Sequence, residues 1–127
     1  MASPADRRYA RTHVWAMERD GGNVRVGLTH VPGSYLGDAV HVELPAPLTE
    51  VAAMEPVGLV ESSSAVCEVT SPVSGIVVEV NPAAESSPET ITADPYGEGW
   101  LMTIRPADPS EMASLFDCEE YDSLPEG

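Results

Sequence analysis

No lysine occurs anywhere in the 127 residues, so no group can be joined to this chain through a lysine ε-amine. Arginine supplies every strongly basic side chain, six against twenty-one acids, for a formal charge of −15. That charge repels phosphate backbones and anionic lipid heads while it favours solubility. Nucleic acid and membrane are therefore not expected as partners.

Long hydrophobic runs are missing too. No stretch approaches the roughly 20 apolar residues that span a bilayer, and Met1-Ala-Ser-Pro-Ala-Asp-Arg-Arg8 lacks the apolar segment of a signal peptide. A cytoplasmic location is expected. Cysteine is scarce: Cys67 and Cys118 could make at most one disulfide, and a reducing cytosol keeps both as thiols. His13, His30 and His41 show no i,i+4 pairing and no cysteine companions at zinc-ligand spacing, so no metal is expected from them. Ser74-Gly75 lacks the preceding glycine of a nucleophile elbow, and no glycine-rich loop runs ahead of a helix. The chain is expected not to be an enzyme, and no catalytic residue is assigned.

What the chain does contain is a globular balance, 43% hydrophobic and 21% charged residues. Its length suits a single domain over residues 1–127, with about 7–124 ordered and loose ends on either side. The stretches from Thr12 to Met17 and from Asn23 to Leu28 flank Arg19-Asp-Gly-Gly22 and predict a β-hairpin. Further strands are predicted at 39–44, 57–61, 66–70, 75–80 and 100–105, separated by Pro, Gly and Ser clusters. Such a series indicates a mainly antiparallel β sandwich or barrel. One helix is predicted at the C-terminus: Asp108, Pro109 and Glu111 resemble an N-cap and capping box, with Met112, Leu115 and Phe116 at helical spacing. From Asp108 to Glu126 there are seven acids and no base, readable as a solvated face or as a docking patch.

In chain order the sequence reads His13-Val-Trp15, Val26-Gly-Leu-Thr29, Leu36-Gly-Asp38, Val42-Glu-Leu-Pro45, Val60-Glu-Ser62, Pro72-Val-Ser-Gly-Ile76, Asn81-Pro82, Asp94-Pro-Tyr-Gly97 and Gly99-Trp100. Together these strings resemble the glycine cleavage system H protein family from about residue 7 to 124. The resemblance implies a biotinyl/lipoyl-type flattened β sandwich (a barrel-sandwich hybrid) with short helices and a C-terminal helix. It also implies an exposed hairpin whose tip lysine carries lipoate. A gapless alignment puts Ser64 at that lysine's position, within Ser62-Ser-Ser-Ala65. Since a serine hydroxyl is a far weaker nucleophile than an amine and would give only a labile ester, no lipoate is expected. Glu61, Ser62 and Ser63 stand where the family presents the tip for recognition.

Other departures lie on the same surface. Leu48 and Met54 occupy positions where the family usually has glycine, so the loop from Ala46 to Pro56 is expected to run differently. Thr92 stands where asparagine is common, and His30-Val31-Pro32 is expected to break a helix-like segment before Leu36-Gly37. Trp15, Trp100 and Tyr96 are assigned to packing.

The functional expectation is an H-like protein without lipoylation. It would act as a non-catalytic protein-binding, scaffold or regulatory module linked to glycine or amino-acid metabolism, with relatives of the glycine cleavage enzymes as partners. The alternative is a repurposed carrier holding a covalent group on Cys67, three residues past the tip, or on a tip serine. The flanks Val66 and Glu68-Val69 equally suit a strand in which Cys67 points inward.

Overall fold

Val24, Val26 and Leu28 alternate with Arg25 and Gly27, and the alternation folds as a strand that buries all three aliphatic side chains. The computed structural model describes residues 2–125. In chain order the strands are β1 (Arg8–Tyr9), β2 (Val14–Glu18), β3 (Val24–Leu28), β4 (His41–Glu43), β5 (Glu50–Val51), β6 (Pro56–Glu61), β7 (Val66–Thr70), β8 (Gly75–Val80) and β9 (Met102–Pro106). The helices are α1 (His30–Leu36), α2 (Pro82–Ser86), α3 (Glu89–Ala93) and α4 (Cys118–Asp122).

Two antiparallel sheets result, one of six strands in the order β1-β2-β3-β9-β8-β5 and one of three in the order β4-β6-β7. The predicted first hairpin forms as β2 and β3, with Gly21 and Gly22 at φ 79° and 83° in the turn. Val14, Ala16, Val26, Val60, Val69, Val77, Leu101 and Ile104 fill the space between the sheets. A second cluster of Tyr9, Trp15 and Tyr121 lies apart from it, with Tyr9 and Tyr121 stacked 4.8 Å between centroids. Trp15 and Tyr96 do pack, as assigned: the Trp15 indole donates to Pro95 O at 2.9 Å, and the Arg7 guanidinium lies over both rings.

Three expectations are corrected. His30-Val31-Pro32 does not break the helix, because Thr29 caps α1 by accepting from Val31 N. Pro32 falls in the first turn, where a backbone N–H has no intrahelical partner to lose. The loop from Ala46 to Pro56 keeps a glycine-type path, with Leu48 and Met54 held at φ 75° and 66°. Their amides explain this, since Leu48 N donates to Val77 O and Met54 N to Ser71 O.

The predicted C-terminal helix divides. Asp108 does cap a 3-10 helix at Pro109–Ser114 by accepting from Ser110 N, but Glu111 makes no capping box. Its carboxylate instead accepts from Ser74 N and Ser74 Oγ. Phe116 then bridges to Tyr9, and Asp117 with Glu120 forms the capping box that starts α4. The acids of this segment are thus largely occupied within the fold. Ser3 is buried and hydrogen-bonded to Asp122. Glu126 lies outside the described residues.

Candidate functional site

β6 and β7 are joined by Ser62-Ser63-Ser64-Ala65, and their ladder runs in register from Glu61 opposite Val66 to Gly58 opposite Val69. Four residues close the turn because Ser62 serves it twice. Its amide donates to Ala65 O at 2.9 Å, and its Oγ accepts from Ala65 N at 3.1 Å and Ser64 N at 3.3 Å. Ser62 is therefore a structural element of the tip, whereas Ser63 and Ser64 are exposed at its end. Gly58 lets β4 close against β6, since a Cβ there would collide with the Glu43 carbonyl.

Cys67 lies opposite Val60, is 6% exposed, and belongs to the core between the sheets. Burial raises its thiol pKa, and the nearby Tyr35 hydroxyl acts in the opposite direction. The environment therefore keeps the thiol protonated, the opposite of what a reactive cysteine needs. An attachment at Cys67 would require the side chain to leave the core. Cys118 is half-buried on α4.

Glu61 lies on the outer face of the three-stranded sheet with His41 opposite it on β4. Exposed apolar side chains flank the hairpin on different sides: Val66 on β7 opposite Glu61, Val40 next to β4 with its amide on Glu61 O, and Tyr35 on α1 near the inward-facing Cys67. Sequence reasoning missed this set, because Tyr35 and Val40 approach the hairpin only through tertiary packing. Thr92 lines a groove of about 470 Å³ with His30, Asp38, Asp94 and Tyr96, and its Oγ1 accepts from Ala39 N at 3.3 Å. Among the described residues no helix is long and apolar enough to cross a membrane.

Comparison with known proteins gives one answer. The family model for the glycine cleavage H-protein matches residues 7–126. The glycine cleavage system H protein of Anaeromyxobacter sp. (strain K) is 45% identical over 126 residues, covering 99% of this chain and 98% of its own. That of Bacillus velezensis is 41% identical over 124 residues, covering 98% and 97%. A crystal structure of a glycine cleavage system H protein from Mycobacterium marinum superposes with a TM-score of 0.85 at 42% identity, covering 94% of this chain and 95% of that one.

These matches correct the expectation that no lipoate is involved. H proteins carry lipoate on a lysine, so lipoate is the cofactor of the group to which the chain is matched. The tip residues themselves offer hydroxyls at 62, 63 and 64 and no amine, and so do not fit the amide linkage. H proteins are carriers rather than catalysts, and their partners are the enzymes of the glycine cleavage system. With the sheets, the hairpin and the full-length matches in agreement, this chain belongs to the glycine cleavage H-protein family.

Proposed function

We propose that this chain is a protein-binding H component that docks on enzymes related to the glycine cleavage system through the β6–β7 hairpin and the sheet face beneath it. The observation that supports this reading most is the exposed apolar set around the tip. Val66, Val40 and Tyr35 are 57%, 60% and 51% exposed, next to a turn fixed by Ser62. Apolar side chains left exposed around the hairpin of a charged chain favour a protein contact over bare solvent. Glu61, Ser63 and Ser64 form the polar part of that contact.

The test is calorimetric titration of the full chain into the purified pyridoxal-phosphate decarboxylase and folate-dependent aminomethyltransferase of the system. Saturable binding to either is expected, weakened at least about tenfold by Val66→Asp, the effect of a charge placed at an interface core. Absence of binding to both, or binding indifferent to Val66→Asp and Val40→Asp alike, overturns the reading. Peptide mapping of residues 57–70 by intact mass reads separately whether Ser64 bears added mass.

A further inference from the structure

The three-stranded sheet turns its β4–β6 seam to solvent. Val42, Val60 and Cys67 point inward, and the outward row consists of His41 and Glu43 on β4 with Glu61 opposite His41 on β6. Period two places His41 and Glu43 on one face, and the register adds Glu61, 18 residues further along by sequence number. Only the folded sheet brings the three together, which is why histidine spacing in the sequence gave no metal expectation.

Their ligand atoms converge. His41 Nε2 is 3.1 Å from Glu43 Oε2 and 3.9 Å from Glu61 Oε1, and all three lie within 4.8 Å of one another. A tetrahedral ion with bonds of about 2.0–2.2 Å holds its ligand atoms roughly 3.3–3.6 Å apart. Two edges of the triangle already bracket that value, and rotation of one exposed glutamate closes the third.

We propose that His41, Glu43 and Glu61 form a surface site for a divalent transition ion of the zinc class, with water completing the coordination. The donor set argues for this class of ion: an imidazole beside two carboxylates suits zinc, whereas magnesium and calcium take oxygen ligands. The backbone positions are preset, because β4 is laddered to β6 and pressed on it at Gly58. The field helps as well, since a chain of charge −15 concentrates cations at its surface. Glu68, opposite Leu59 on the same face, is a further carboxylate at the margin and outside the triangle. A bound ion would tie β4 to β6 directly below the hairpin tip.

The test is calorimetric titration of the untagged full chain with zinc chloride, with thermal melting in the presence and absence of zinc as a second readout. One equivalent is expected to bind and to raise the melting temperature, and magnesium in large excess should not compete. His41→Ala and Glu61→Gln should each weaken zinc binding at least about tenfold, as losses within a coordination shell do. Cys118→Ser, which removes the half-buried thiol, should leave binding unchanged. All three ligands are at or near the surface, so circular dichroism should show the variants folded. Zinc binding equal in the wild type and in both ligand variants, binding abolished by Cys118→Ser alone, or no saturable binding would overturn the proposal.

Discussion

Ser3 and Asp122 join the two ends of the chain: the Asp122 carboxylate accepts from Ser3 N at 3.1 Å and from Ser3 Oγ at 2.6 Å. The Ser3 bonds hold the Asp122 carboxyl below its ordinary value. A lowered carboxyl stabilises the fold above the unfolded value of about 3.9, and that contribution is lost as pH falls through the folded value. Asp122 is exposed, so solvent screening limits the gain. Ser3→Ala should lower stability by about 1 kcal/mol near neutral pH. Denaturant melts should show the difference shrinking once the pH drops below the carboxyl range, and a difference constant with pH would refute this account.

Leu48 and Met54 hold left-handed conformations that side chains disfavour by roughly 1–2 kcal/mol. Both are exposed, so little packing is lost on truncation. Glycine relieves the backbone but adds unfolded-state entropy, which offsets up to about 1 kcal/mol. Leu48→Gly and Met54→Gly should therefore each raise stability by about 0.5 kcal/mol, while Leu48→Ala should not. Urea midpoints for the three variants decide it, and destabilisation by glycine would mean that the side chains contribute packing after all.

Most of the sheet structure was readable in advance because runs such as 66–70 and 75–80 are rich in β-branched residues and are separated by Ser, Pro and Gly. The two-residue strands β1 and β5 were not, since two residues hold no period. Helix α1 was misjudged because Pro32 reads as a breaker unless its place within the first turn is known. The tip was legible only through the family resemblance, which set Ser62-Ser-Ser-Ala65 at the hairpin, and the closing role of the Ser62 hydroxyl came with the structure. The triangle of His41, Glu43 and Glu61 was not, because strand register is a tertiary quantity.

Glu111 gives the third prediction. It satisfies Ser74 N at 2.9 Å and reaches Ser74 Oγ, which itself accepts from Ala53 N at 2.9 Å, so one carboxylate ties the C-terminal segment to the loop before β6 and the turn before β8. Removing it leaves a part-buried amide without its partner. Glu111→Ala should cost about 1–3 kcal/mol, and Glu111→Gln, which keeps an acceptor, clearly less. Equal losses in chemical denaturation would show that the charge, not the acceptor, holds the contact.

Cys67 and Cys118 should differ sharply as thiols. Cys67 is packed in the core with its pKa raised chiefly by burial, while Cys118 is half-buried on a short helix. Because the thiolate is the reactive form, a raised pKa and a buried sulfur both slow modification. Near neutral pH the folded chain should label quickly at a single thiol, with the second appearing only as fast as the sheet opens or after denaturant is added. Cys118→Ala should remove the fast phase. The same shift fixes the sign at high pH: a thiol whose folded pKa is raised contributes stability below the unfolded value of about 8.5 and loses it as pH rises through the folded one. Stability should therefore decline in mild alkali, by less in Cys67→Ala than in the wild type. Labelling of Cys67 in the native protein as fast as Cys118 would contradict its place in the core and reopen it as an attachment point.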